Sequence, residues 1–158
     1  TGDMDPAIIL HIMGKEELSP SEMNALLNKH SGVSGVSGIS SDMREIEDGY
    51  DKHERAKLAL DIYNYRIRKY IGAYAAGMGG VDAIVFTGGI GENSDFTRRE
   101  AVKGLEFMGV EIDHSINDGL RGKFEDITAE NSRCKVLVIP TNEELVIALD
   151  TFEIVDKL

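Results

Sequence analysis

The sequence predicts an α/β fold in which buried strands alternate with helices. Two continuous apolar runs, residues 82–87 and 135–139, are typical of strands that are buried on both faces. The first run leads into glycines and a helix start, and the second ends at Pro140, where another helix start follows. This order of strand, helix, strand and helix, with no linker between them, predicts one domain. A chain of 158 residues is long enough to bury a core.

Helices are expected before the first strand. Asp5-Pro6 and Ser19-Pro20 are helix starts, and the second includes a capping box ending at Glu22. We expect this second helix to end near His30. The serine and glycine run at residues 31–38 is either a flexible linker or an ordered loop, and its regularly spaced valines favour the ordered loop.

A short helix should start at residues 40–44, and the longest helix should run from about Lys52 to Met78. Apolar residues recur in it every three or four positions, which predicts one face buried in the core. The tyrosines on and near this face are interpreted as packing residues rather than as a platform for stacking a base. The predicted core face comprises Ala56, Leu60, Tyr63, Ile67, Ile71, Tyr74 and Met78.

The second half of the chain should contain two further helices. One is expected from about Ser94 to Met108, and residues 110–128 suggest short strands or turns. The last helix should start at Thr141 or Asn142. It should direct toward the core Leu145, Ile147, Ala148, Phe152 and Val155.

Composition excludes several classes of function. The chain has 28 acidic and 17 basic residues, and a net charge of −11 repels nucleic acid and anionic lipid. No apolar run approaches the roughly 20 residues of a membrane span. A single cysteine, Cys134, excludes an internal disulfide, so we expect a cytoplasmic protein. The four histidines lack metal-ligand spacing, and no serine lies in a nucleophile elbow.

The segment Val85-Phe86-Thr87-Gly88-Gly89-Ile90-Gly91-Glu92-Asn93-Ser94 is the strongest functional signal. Glycines allow backbone N–H groups to approach an anion, and the first turn of a helix adds unpaired donors. A tight turn that needs glycine only for its geometry is the alternative. Because a buried strand precedes the glycines and a capped helix follows, we favour contact with an anion or nucleotide at residues 89–93.

Two weaker signals lie elsewhere. Glu143 and Glu144 follow the second strand, where they could simply complement a helix dipole, or Glu143 could help to hold Mg²⁺, often through water. The segment Asp42-Met43-Arg44 is by default a solvated helix start, although Arg44 could pair or stack with a nucleotide.

Four segments in one order carry a resemblance to a known family. They are TGDMDP at residues 1–6, GVSGVSGISSDMR at 32–44, VFTGGIGENS at 85–94 and VIPTNEEL at 138–145. Over essentially all 158 residues, the chain resembles the C-terminal part of an acetate kinase. This resemblance implies an actin-like, ribonuclease H-like ATPase fold of two related lobes, of which this one is a mixed sheet flanked by helices.

The resemblance also implies site residues and a reaction. Asp42, Met43 and Arg44 would contact the adenosine side of ATP, and Gly89, Ile90, Gly91, Glu92 and Asn93 would form the phosphate and nucleotide loop. Glu143 would be the glutamate associated with Mg²⁺. The implied reaction is reversible transfer of the γ-phosphoryl group from ATP to acetate, which gives acetyl phosphate and ADP and supports acetyl-CoA biosynthesis. The family also suggests a homodimer.

The resemblance implies that an N-terminal lobe with the catalytic residues is missing. The chain opens at Thr1 without an initiator methionine, and the family's catalytic arginine stands immediately before the TGD motif. We therefore expect no catalytic residue in this chain and no activity from the chain alone. Two alternatives stay open, namely a propionate or butyrate kinase domain and a non-catalytic module that binds nucleotide or self-associates.

Overall fold

The chain divides into two compact units. The computed structural model describes residues 1–157, and its units are Thr1–Arg66 and Ile67–Leu158. The boundary falls inside the continuous helix Glu54–Met78. A boundary within a helix needs no glycine- or proline-rich linker, which explains why composition alone did not reveal it.

The first unit is entirely helical. Its predicted helix starts are confirmed, because Asp5 accepts a hydrogen bond from Ala7 N and Ser19 forms a capping box with Glu22. The elements are α1 (Pro6–Lys15), α2 (Pro20–Lys29), α3 (Gly32–Ser37), α4 (Met43–Asp48) and the first half of α5 (Glu54–Met78).

The serine and glycine run is helix α3 and not a loop, so the predicted order is confirmed and the predicted conformation is wrong. Gly38 ends the helix with φ of 64°, a left-handed conformation that glycine adopts without strain. The guanidinium of Arg55 donates to the carbonyls of Gly35 and Val36 at 3.0 and 2.9 Å. An arginine at the helix end thus satisfies carbonyls that lack a partner in the helix.

The predicted core face of α5 is confirmed only in part. Ala56 and Leu60 are fully buried, whereas Tyr74 and Met78 at the other end are exposed. Tyr65 is exposed as well, so the interpretation of the tyrosines as packing residues is wrong for Tyr65 and Tyr74 within this chain. The periodic pattern locates an apolar face but does not say what covers it.

The second unit contains a small mixed sheet, as predicted. Strand order is β1-β3-β2, with β1 parallel to β3 and β2 antiparallel to β3. Phe86 at the end of β1 pairs with Val138 at the end of β3, so these two strand ends lie side by side. The elements are β1 (Ala83–Phe86), α6 (Gly88–Asn93), α7 (Asp95–Val102), α8 (His114–Asn117), β2 (Glu125–Asp126), β3 (Lys135–Val138) and α9 (Glu143–Asp156).

Only one face of this sheet is buried, which corrects the prediction of strands buried on both faces. Ile84 and Phe86 of β1 lie in the core, while Val85 between them is 47% exposed. Residues of α7 and of the segments after it cover the buried face. The core cluster consists of Ile84, Phe86, Ala101, Val102, Leu105, Val110, Ile112, Leu120, Ile127, Cys134, Val136 and Val138.

Helix α7 is shorter than predicted. It ends at Val102, and a short 3₁₀ turn at Glu106–Met108 follows. Gly104 lies between them with φ of 85°, which cannot continue an α-helix. One glycine therefore divides the predicted helix into two elements.

Helix α9 contradicts its predicted packing. None of its residues is buried, including Leu145, Ile147, Ala148, Phe152 and Val155, which were expected to face the core. Its predicted start is confirmed, since the side chain of Asn142 caps it. Within residues 1–157, no helix has the length and apolar character needed to cross a bilayer.

Candidate functional site

The glycine turn, residues 88–91, leaves the end of β1 and forms the first part of α6. Gly88 has φ of 71°, which turns the backbone away from the strand direction. A Cβ atom on Gly91 would lie 3.1 Å from the carbonyl carbon of Phe86, so this glycine is needed for close packing. A Cβ on Gly89 would meet nothing within 4 Å. The turn therefore has one packed glycine and one open glycine.

Backbone donors are available at this turn. The first N–H groups of a helix have no partner four residues earlier. Gly88 N donates to Glu92 Oε1 at 2.8 Å, whereas Gly89 N and Ile90 N make no hydrogen bond to the described residues. Asn93 Nδ2 donates to Gly89 O at 2.9 Å and closes the turn. Two unpaired N–H groups at an open surface can donate hydrogen bonds to an anionic ligand.

A buried arginine supports the turn from inside. The side chain of Arg98 on α7 is 0% exposed. Its Nη1 donates to Gly91 O and its Nη2 to Leu120 O, both at 2.8 Å, and its Nε donates to Asn117 Oδ1 at 2.8 Å. These bonds fix the carbonyl side of the turn and compensate part of the cost of burying the charge.

Sequence reasoning missed Arg98, although a signal was present. Arg98 precedes Ala101, Val102 and Leu105 by three, four and seven positions, which places it on the buried face of a helical pattern. A charged residue at an apolar position indicates a buried polar network.

The carboxylate of Glu92 joins the ends of the two parallel strands. Its Oε1 accepts hydrogen bonds from Gly88 N at 2.8 Å, Thr141 N at 2.8 Å and Thr141 Oγ1 at 3.0 Å. The N–H of Thr141, followed by the Thr141 hydroxyl and the Gly88 N–H, lowers the pKa of Glu92 below its usual value. The two partners are 49 residues apart in sequence, and no local pattern predicted this bond.

Glu143 is the first residue of α9, two residues after Thr141, and its side chain is exposed. Residues 1–157 hold no group of three or more histidine, cysteine or acidic side chains arranged around a metal ion. Mg²⁺ in phosphoryl-transfer sites is commonly held by one or two carboxylates together with water and phosphate oxygens. An exposed carboxylate at the start of α9 fits that donor set as a single ligand.

The segment Asp42-Met43-Arg44 lies in the first unit. Asp42 caps α4 by accepting from Arg44 N at 2.9 Å, and its carboxylate also pairs with the Arg44 guanidinium at 2.6 Å. The side-chain hydrogen bond from Arg44 is the main cause that lowers the pKa of Asp42 to about 2. Met43 is buried, whereas the side chain of Arg44 is 85% exposed. Of the three, Arg44 has the side chain most open to a ligand.

Comparison with known proteins decides the family. A family model described as the acetokinase family matches residues 1–149. The chain belongs to the acetokinase family. The sequence-based resemblance to acetate kinases is therefore confirmed.

The similar proteins include acetate kinases and a propionate kinase. Acetate kinases of Thermotoga petrophila and Clostridium acetobutylicum are 60% and 54% identical to this acetokinase-family chain over its whole length. The crystal structure of Porphyromonas gingivalis acetate kinase matches 98% of the chain with a TM-score of 0.91 and 51% identity. A propionate kinase structure from Francisella tularensis matches 94% with a TM-score of 0.84 and 38% identity.

The chain spans about 40% of the length of the curated relatives it matches, and 38–39% of the two solved chains. The fold of the chain is that of the corresponding part of these kinases, an α/β fold with a small mixed sheet.

Proposed function

We propose that this chain is the C-terminal, nucleotide-binding lobe of an acetate kinase. The complete protein would transfer the γ-phosphoryl group of ATP to acetate reversibly. One observation carries the proposal: a chain 60% identical to an acetate kinase presents an open glycine turn with two unpaired N–H groups at the end of a core strand. Nucleotides bind at this edge of α/β sheets in many folds.

The site residues would contact different parts of the nucleotide. The N–H groups of Gly89 and Ile90 would bind phosphate oxygens, and Gly91 and Asn93 would hold the turn in shape, together with Glu92. Arg44, oriented by Asp42 and supported by buried Met43, would contact the adenosine side. These assignments draw on the open turn and on the exposed guanidinium of Arg44.

The chemical step needs little beyond alignment and charge stabilisation. An acetate oxygen forms a bond to the γ-phosphorus as the bond from that phosphorus to the ADP oxygen breaks, and ADP leaves with the electron pair. Mg²⁺, when bound, would neutralise charge on the phosphates, with Glu143 as one ligand. This chain would bind and orient the nucleotide, and an N-terminal lobe outside residues 1–158 would supply the acceptor site and the catalytic residues.

We further propose a cytoplasmic homodimer that serves acetyl-CoA biosynthesis. The single cysteine, Cys134, is buried and unpaired, which suits a reducing compartment. Exposed apolar residues on α5, among them Leu58, Ile62 and Tyr65, form a stripe on one helical face that could contact a second copy.

A second candidate is a kinase for a longer acid, because one similar structure is a propionate kinase. Hydroxamate assays of the complete protein with acetate, propionate and butyrate separate these candidates. We expect the highest kcat/KM with acetate and no acyl phosphate from residues 1–158 alone. A higher kcat/KM with propionate or butyrate would reassign the acceptor, and activity of the isolated chain would place catalytic residues within it.

The nucleotide assignment is tested by two glycine substitutions. Gly89→Ala adds a methyl group where nothing lies within 4 Å, so stability should hold while the Kd for ADP in the complete protein rises about tenfold. Gly91→Ala is the matched contrast, since its Cβ meets the backbone of Phe86 and should cost about 1–3 kcal/mol of stability. Calorimetry and thermal unfolding measure the two effects. An unchanged Kd in Gly89→Ala would leave only a structural role for the turn.

A further inference from the structure

The side chain of Glu92 replaces one backbone acceptor in the series of hydrogen bonds between β1 and β3. Lys135 N donates to Asp82 O at 2.8 Å, and Ile139 N donates to Phe86 O at 2.9 Å. In a parallel pair, each further bond advances two residues along both strands. Thr141 N should therefore donate to Gly88 O, but it donates to Glu92 Oε1 at 2.8 Å.

The start of α6 explains why the Glu92 side chain, and not the Gly88 carbonyl, accepts the Thr141 N–H. Gly88 turns the chain with φ of 71° and begins the helix, so its carbonyl accepts the helical bond from the residue four positions later. The ladder would otherwise end with an unpaired donor at Thr141. The carboxylate of Glu92, one turn along the same helix, accepts that N–H, the Thr141 hydroxyl and the Gly88 N–H together.

We propose that Glu92 is a positioning residue that ties the glycine turn to the start of α9 and thereby sets where Glu143 stands relative to the bound nucleotide. This inference rests on the proposed function and gives Glu92 a different role from its neighbours in the loop. Gly89 and Ile90 bind through their backbone, whereas the Glu92 side chain acts through Thr141.

The hydrogen bonds argue against a direct contact between the Glu92 carboxylate and phosphate. Three donors of the protein converge on Oε1 of this carboxylate, and an ionised carboxylate has no proton to donate to a phosphate oxygen. The same donors lower the pKa of Glu92, so the group is an anion at neutral pH and would repel a polyphosphate. The negative charge of Glu92 instead strengthens its hydrogen bonds to Gly88 and Thr141.

The start of α9 depends on the hydrogen bonds between Thr141 and Glu92 because few other contacts fix this helix. No residue of α9 is buried, and its N-cap, Asn142, bonds within its own first turn to Leu145 N at 3.0 Å. Thr141 directly precedes that cap, and Glu143 directly follows it. Loss of the Glu92 bonds should therefore let Glu143 move while the glycine turn remains supported by Arg98.

The experiment measures the Kd of ADP with and without Mg²⁺ by calorimetry on the complete protein. Glu92→Gln keeps the oxygen that the three donors share but removes the negative charge that strengthens their hydrogen bonds. Thr141→Val removes the hydroxyl donor. In both variants we expect the gain in ADP affinity on adding Mg²⁺ to fall at least about tenfold, as for other residues that orient a metal ligand. The Kd without Mg²⁺ should change less than about twofold, since the N–H groups of the turn are untouched.

Two control variants separate positioning from general structure. Thr141→Ser restores the hydroxyl and should restore the gain from Mg²⁺. Glu130→Gln makes the same chemical change at an exposed site of the second unit and should leave both Kd values as they are. The double variant, Glu92→Gln with Thr141→Val, should lose less than the sum of the single losses, because both act on one contact.

Three outcomes would overturn the proposal. If Glu92→Gln raised the Kd of ADP equally with and without Mg²⁺, and Thr141→Val changed neither Kd, Glu92 would contact the nucleotide itself. A lower Tm in both variants with an unchanged Mg²⁺ gain would mean a purely structural bond. Failure of the unsubstituted protein to bind ADP would overturn the proposed function as well, and that result is visible before any variant is made.

Discussion

The region behind the glycine turn and the terminal helix α9 depart from the usual distribution of residues in opposite directions. Arg98 is fully buried behind the turn, whereas Phe152 on α9 is 66% exposed. Burying a charge is costly and needs compensating bonds, while exposing a large apolar side chain gives up the favourable energy of its burial. The buried arginine fixes the backbone of the turn, and the exposed helix offers an apolar surface that residues 1–157 do not cover.

In this unit, the region around Arg98 contributes mainly to stability, whereas α9 offers a surface for recognition. Arg98 makes its bonds to carbonyls of Gly91, Asn117 and Leu120, so it holds segments that are distant in sequence. Helix α9 is fixed mainly at its base. Its exposed large apolar residues are Leu145, Val146, Ile147, Leu149, Phe152, Ile154 and Val155.

The largest expected effect comes from Arg98→Met. The variant keeps a long apolar side chain but leaves the part-buried carbonyl of Gly91 and the buried carbonyl of Leu120 without their donor. We expect the free energy of unfolding of the 158-residue chain to fall by about 3 kcal/mol, from roughly 1–3 kcal/mol for each unsatisfied group. Urea unfolding measures it. Arg99→Met is the matched control, with a loss below about 1 kcal/mol, because its ion pairs are partly exposed. Equal losses would contradict a special role for the buried arginine.

Local signals predicted much of the fold, and distant contacts account for what they missed. Asp5, Ser19, Asp42 and Asn142 marked helix starts because a cap depends only on residues within the next turn. The bond from Thr141 to Glu92 could not be predicted, because its partners come together only after β1 and β3 pair. Periodicity also failed for α9, since an apolar pattern is the same whether or not a partner covers it.

A smaller expected effect concerns the surface of α9. The 158-residue chain should self-associate at micromolar concentration and bind an apolar dye such as ANS, because contiguous exposed apolar side chains favour association. Leu149→Glu with Phe152→Glu should reduce both, while the free energy of unfolding changes by less than about 0.5 kcal/mol, as for other exposed positions. Sedimentation velocity measures the association. Phe107→Glu, at an exposed apolar position outside α5 and α9, is the control and should leave the association unchanged. If Leu58→Glu on α5 gives a monomer and the α9 variant does not, the associating surface is the α5 stripe.

The smallest expected effect is that of the exposed pair formed by Asp42 and Arg44, the surface counterpart of buried Arg98. The pKa of Asp42 is lowered to about 2, mainly by the side-chain hydrogen bond from Arg44, against an ordinary value of about 3.9. Its contribution to stability is therefore present above pH of about 4 and is lost as the pH falls toward 2.

Arg44→Met should raise the pKa of Asp42 only part of the way to its ordinary value, because the backbone N–H of residue 44 still donates to the carboxylate. Arg44→Lys keeps the positive charge but not the bidentate hydrogen bonding, and should give an intermediate pKa of Asp42. Carbon-detected NMR titration of the Asp42 carboxyl measures both shifts. An unchanged pKa in Arg44→Met would show that the helix cap alone holds the carboxylate ionised, and that the Arg44 guanidinium is free to leave it for a ligand.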